Sequence, residues 1–186
     1  MRRFFALFRL FCLLALAAPT MAADIAAAGL IPAEDRRPLA WAAEEPVFVV
    51  VERSCRTVTV YRKGLWHRTY RGAVFGRGDG SKVHEGDRRT PNGLYRIQSR
   101  RLHGRWSRFL LLDYPNSNDL RTNQAARAAG ATDQGPGGEI GIHGSDEPTL
   151  NRSDVDWTLG CISLLDSDVE DLYRWVPVGT PVWIRP

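Results

Sequence analysis

The chain has 186 residues, with 25 Lys and Arg against 21 Asp and Glu, a formal net charge of +4, and 44% hydrophobic residues. That length allows one domain with a real core, and no internal repeat, second apolar span or long low-complexity tract appears, which excludes a repeat array or a multi-span membrane protein. Arg2, Arg3 and Arg9 supply most of the excess; without them 22 basic residues face 21 acidic ones, so nucleic-acid binding loses its main support.

In chain order, the basic start Met1-Arg2-Arg3, an apolar stretch over 4–18 broken only by Arg9, and the small residues Met21-Ala22-Ala23 predict a secretory signal over 1–23. The apolar run is shorter than the roughly 20 residues that span a bilayer, and bulky residues before Cys12 argue against a lipid anchor. Residues 24–45, rich in Ala, Pro, Glu and Arg, predict a linker or N-terminal arm. The domain is expected over 46–186. Strands are predicted over 47–51, 57–61, 66–75, 94–98, 109–113, 139–143, 161–165 and 181–184 from β-branched and alternating patterns. The stretch 76–93, with five glycines and a proline, predicts a long loop. Helices are predicted within 118–129 and over 168–176, the second with Ser167 and Glu170 as a capping box and Val169, Leu172, Tyr173 and Val176 on one face. The expected fold is mainly β, a sandwich or barrel with a few short helices. Charge is uneven: fifteen Lys and Arg against three acids over 53–108, and five against twelve over 109–186. Either a basic face meets an anionic ligand, or the halves neutralise each other; mutual neutralisation is the reading preferred here.

Two cysteines lie beyond the signal, Cys55 and Cys161. An oxidising compartment would favour a disulfide between them, yet their contexts differ. Cys55 sits in the polar turn 52–56. Cys161 directly follows Gly160 at a strand start, eighteen residues after His143, which ends an apolar-alternating segment and is followed by Gly144. A free thiol has a pKa near 8.5, so an imidazole is its usual activator. Glycine before the nucleophile admits close substrate approach, and N–H groups there could hold an oxyanion. Each residue alone has a plainer role, Cys161 as a small core side chain and His143 as a hydrogen-bonded strand end; as a glycine-flanked pair they favour catalysis. No Cys/His spacing resembles a zinc site, so no metal or other cofactor is expected.

At this point the chain resembles the YkuD-type L,D-transpeptidases. Their signature, His-Gly, about fifteen residues, then Ser/Thr-His-Gly-Cys, is similar to His143-Gly144, thirteen residues to Trp157, and Thr158-Leu159-Gly160-Cys161. Further similar segments are the Gly-Asp, Thr-Pro and Gly-x-Tyr elements within 82–95, Leu112-Asp113-Tyr114-Pro115-Asn116, and Val178-Gly179-Thr180-Pro181. The resemblance implies a periplasmic or secreted acyl-transferase of the cell envelope. Its partners would be peptidoglycan stem peptides, with a second stem, a D-amino acid, an outer-membrane lipoprotein lysine or water as acceptor. It implies Cys161 as nucleophile, His143 as base, the Gly144 carbonyl as orienter of the imidazole, and N–H groups of Gly160 and Cys161 as oxyanion donors. Candidate substrate contacts are Thr158, Trp157, Ser163 and Tyr114; Trp157 is equally readable as core.

The sequence departs from that pattern twice. Leu159 stands where many members have a second histidine, and Ser163 where many have an arginine suited to a substrate carboxylate. Three alternatives remain open: hydrolysis of the same stems, a catalytically silent wall-binding module, and a sortase-like enzyme on the partial match Thr158-Leu159-x-Cys161. An NlpC/P60-type hydrolase fits worse, since there the cysteine precedes the histidine.

Overall fold

The computed structural model describes residues 44–186. The signal expected over 1–23, Cys12 and nearly all of the expected arm over 24–45 lie outside the described residues. Among the described residues no helix is long and apolar enough to cross a membrane.

Eight strands form one curled, open half-barrel sheet in the order β3-β2-β1-β8-β4-β5-β6-β7. They are β1 Val47–Glu52, β2 Thr57–Arg62, β3 Leu65–Arg71, β4 Gly93–His103, β5 Ser107–Leu112, β6 Gly141–His143, β7 Ile162–Ser163 and β8 Pro181–Arg185. The three helices named among the described residues are α1 Ser117–Ala128, α2 Pro148–Arg152 and α3 Asp166–Trp175. The expected mainly β architecture is therefore present.

The continuous apolar run of β1 has a direct cause: both of its faces are covered. Val49 and Val51 enter the main core with Val58, Val60, Ile184 and residues of α3, whereas Phe48 and Val50 pack with Trp183 on the opposite face. β8 runs parallel to β1 and antiparallel to β4. β4 is far longer than expected and changes partner along its length. Gly93 to Arg96 pair with β8, and from Ile97 to His103 the strand pairs with β5, with a register shift between Ile97 and Ser99 within that pairing. Its outer half is basic, but Arg100 and Arg101 lie over the rings of Tyr173 and Phe109 at 3.8 and 4.4 Å, covering apolar surface with their stems.

Both expected helices form, with one correction. Ser167 does not cap α3; the cap position is Leu165, without a side-chain hydrogen bond, and Glu170 accepts from Ser107 Oγ instead. The capping box belongs to α1, where Asn116 and Asp119 bond reciprocally. α2 was not expected from the sequence. The charge halves do meet: Arg56, Arg68, Arg101 and Arg105 pair with Asp156, Asp171, Glu139 and Asp146. The 76–93 segment is a loop, but not a loose one. Lys82 and Asp87, 4% and 3% exposed, form an ion pair at 3.0 Å. Asp87 also accepts from the N–H groups of Val83, His84 and Arg89, which holds its carboxyl below the usual range despite its burial.

Candidate active site

His143 ends β6, which lies between β5 and β7 with His143 opposite Phe109 and Ser163. Its ring is 1% exposed and sits in an aromatic box: Trp106 stacks on it at 4.2 Å, Phe109 lies at 5.9 Å nearly parallel, and Trp157 meets it edge-on at 5.9 Å. Nδ1 lies 2.6 Å from the Gly144 carbonyl. A carbonyl can only accept, so Nδ1 carries the hydrogen and Nε2 keeps its lone pair. Burial pushes the imidazole down to about 4, against the opposing pull of the Gly144 bond. The ring is thus a neutral base at any pH near 7.

Gly144 is held through both its N–H and its carbonyl. Its N–H donates to the Trp106 carbonyl at 3.0 Å, and its carbonyl also accepts from Ser163 Oγ at 3.1 Å. A Cβ here would run into the Trp106 carbonyl and Asp166 Oδ1, so only glycine lets this backbone reach the ring. Ser163 is consequently not at the substrate. It is fully buried, and its hydroxyl fixes the orienting carbonyl, which corrects the contact expected from sequence. Asn151, unexpected from the sequence, joins the pieces: its Oδ1 accepts from Ser145 Oγ at 2.6 Å and Trp157 Nε1 at 3.0 Å, and its Nδ2 donates to the Ser163 carbonyl at 3.2 Å.

Cys161 is half-buried just before β7. Its Sγ donates to the Glu139 carbonyl at 3.3 Å, and the Gly141 N–H faces the sulfur. Burial pushes the thiol up to about 11, only partly offset by that N–H. Thiol and imidazole therefore rest as a neutral pair. Both line one cleft of about 880 Å³.

The turn before Cys161 is shaped by Thr158 and Gly160. Gly160 has φ 139°, and a Cβ would lie 2.8 Å from the Arg89 carbonyl. Thr158 Oγ1 donates to the Cys161 carbonyl at 2.7 Å and accepts from the Gly160 N–H at 3.1 Å. The Gly160 N–H, expected as an oxyanion donor, is therefore occupied, and Thr158, though it borders the cleft, spends its hydroxyl on the turn. Trp157 also lines the cleft. Tyr114 is buried, and its hydroxyl donates to the Pro136 carbonyl at 2.9 Å, which removes it from the expected substrate contacts. Leu159, 67% exposed, presents an apolar side chain to the cleft beside Cys161. Cys55 is exposed, and both cysteines are free thiols.

Trp106 and Asn151 were not legible as site residues. Trp106 sits in the β4–β5 turn, far from either motif, and an asparagine in a polar stretch gives no sign of burial. Residues 46–184 match the family model described as the L,D-transpeptidase catalytic domain, YkuD. No curated protein matches the chain. Among solved structures, the chain is similar to the helical cell shape determining protein Pgp2 from Campylobacter jejuni, with 24% identity and a TM-score of 0.55, over 75% of this chain and 47% of that one. It is also similar to Bd1075 from Bdellovibrio bacteriovorus, with 21% identity and a TM-score of 0.55, over 76% and 48%. An L,D-transpeptidase from Xylanimonas cellulosilytica follows with 15% identity and a TM-score of 0.53, over 76% and 61%. The chain thus spans about half the length of the first two, and these likenesses concern the fold.

Proposed function

Because the chain belongs to the YkuD family of L,D-transpeptidase catalytic domains, we propose that it is a cysteine-dependent acyl-transferase that cuts the terminal D-alanine from peptidoglycan tetrapeptide stems through a thioester. The observation that carries this reading is a neutral imidazole, its Nδ1–H bound to the Gly144 carbonyl, sharing a cleft with the Cys161 thiol.

In this mechanism Sγ first leaves the Glu139 carbonyl by rotation of the Cys161 side chain. His143 Nε2 takes the thiol proton as Sγ attacks the carbonyl carbon preceding D-alanine. Because thiol and imidazole rest as a neutral pair, proton transfer accompanies attack rather than preceding it. The C–O bond opens to an oxyanion, for which the Cys161 N–H is the donor, the Gly160 N–H being engaged by Thr158. The C–N bond then breaks, His143 returns the proton to the leaving amine, and the acyl group stays on sulfur. An acceptor amine, deprotonated by His143, attacks the thioester and releases the thiolate, which is reprotonated. The Gly144 carbonyl, braced by Ser163 Oγ, orients the imidazole as a carboxylate does in other triads. The secretory signal expected over 1–23, ahead of the domain matched over 46–184, supports a location in the cell envelope, outside the cytoplasmic membrane.

The test is mass spectrometry of disaccharide tetrapeptides incubated with the purified protein. Wild type is expected to release D-alanine and Cys161→Ala to release none; equal, unchanged muropeptide profiles for both would refute the proposal.

A further inference from the structure

Four basic residues line the cleft that holds Cys161 and His143, and two of them are spent: Arg105 pairs with Asp146 and Lys82 is closed onto Asp87. Arg77 and Arg88 are different. Both line the cleft that holds Cys161 and His143 and both are exposed. Among the described residues neither has an acid within ion-pair distance.

Their placement follows from the backbone. The segment just after β3 runs along the nucleophile strand: Val74 and Ser163 exchange N–H···O bonds of 3.0 and 2.8 Å, the Thr158 N–H reaches the Phe75 carbonyl at 3.1 Å, and the Arg77 N–H reaches the Thr158 carbonyl at 3.3 Å. Arg77 therefore leaves the chain beside the turn that carries Cys161. The Gly78 N–H donates to the Arg88 carbonyl at 2.8 Å, which sets Arg88 next to Arg77 on the same wall. The loop bearing Arg88 is fixed by the buried Lys82–Asp87 pair and by the three N–H groups that Asp87 accepts. The nucleophile strand itself offers no cation, since Ser163 is buried and Leu159 is apolar.

We propose that Arg77 and Arg88 form a carboxylate subsite that binds the acyl donor through a carboxylate on the side chain of the residue whose carbonyl Cys161 attacks. This rests on the transpeptidase reading above. Two cations on one wall of a cleft favour an anion between them, and a carboxylate matches the guanidinium fork. Glu85, Glu139 and Glu147 line the same cleft, so its field is mixed. It suits one carboxylate at a fixed place rather than a polyanionic chain.

The experiment measures D-alanine release by wild type, Arg77→Gln, Arg88→Gln and the double variant. The two donors are disaccharide tetrapeptides with the diamino-acid side-chain carboxylate free or amidated. With the free donor, the double variant is expected to raise KM roughly tenfold or more, the scale of a lost charge-assisted bond, with a much smaller change in kcat. Amidation should cost wild type a similar factor and the double variant almost nothing. Equal losses on both donors, or no loss on either, would overturn the subsite. Calorimetric binding of both donors to Cys161→Ala, with and without the arginine substitutions, reads the subsite without turnover. Wild type that discriminates the donors in binding but releases no D-alanine would refute the transpeptidase reading and leave the subsite standing.

Discussion

Trp106 is expected to set the working pH of the catalytic base. Its indole covers one face of His143 at 4.2 Å and is itself pinned by a hydrogen bond from Nε1 to Asp146 at 2.9 Å. Burial displaces the imidazole from its ordinary 6.5 to about 4, which corresponds to about 3 kcal/mol against the imidazolium. Trp106→Ala opens that face to water. If a third of the penalty is relieved, the pKa rises by roughly one pH unit, and the acid limb of kcat/KM moves up with it. Trp106→Phe, which keeps an aromatic cover, should move it less. NMR titration of His143 in a Cys161→Ala background reads the imidazole directly, and thermal melts confirm that the variants are folded. An indole face also attracts cations. A pKa that falls on removing Trp106 from the folded protein would mean that this attraction outweighs desolvation, refuting the reasoning. The same displacement makes the fold sensitive to acid. Between pH 6.5 and about 4 the unfolded chain takes a proton that the native ring refuses, so stability declines as pH falls through that window.

Thr158→Val keeps the side-chain shape but strips the buried Gly160 N–H and Cys161 carbonyl of their shared partner. A loss of about 2–4 kcal/mol follows from two unsatisfied buried groups, read by denaturant unfolding; an unchanged midpoint would contradict it. Cys161, with its thiol pushed up to about 11, should be alkylated by iodoacetamide at a rate that keeps climbing above pH 9. A plateau near pH 7 would instead reveal a preformed thiolate–imidazolium pair.

Backbone pattern was the most readable feature of the chain. The run over 47–51 signalled a strand, which the structure covers on both faces, and the glycines beside His143 and Cys161 marked strand ends that do face one cleft. The outer half of β4 was hidden because Arg100 and Arg101 look like solvent-facing charges, whereas the structure lays them over rings. Ser163, Thr158 and Tyr114 were close to the right place for a different reason: each hydroxyl is consumed by a backbone carbonyl, and residue type alone does not say which way a hydroxyl points. Asn151 and Trp106 were missed since their importance is purely tertiary. Each acts by touching residues distant in the chain.

The strand order has a consequence for how this protein is made. β8 comes last among the strands in sequence yet lies between β1 and β4, so the wings β3-β2-β1 and β4-β5-β6-β7 share no strand ladder until residues 181–185 arrive, and before that only the Val74–Ser163 and Gly76–Thr158 bridges and the common core can link them. Such late, long-range pairing is slow. An emerging polypeptide therefore completes its sheet only after nearly all of the domain has been made. By the same logic, shaving those five residues should do more than trim the molecule: it removes the strand that joins the two wings and leaves their connection to the Val74–Ser163 and Gly76–Thr158 bridges and the shared core.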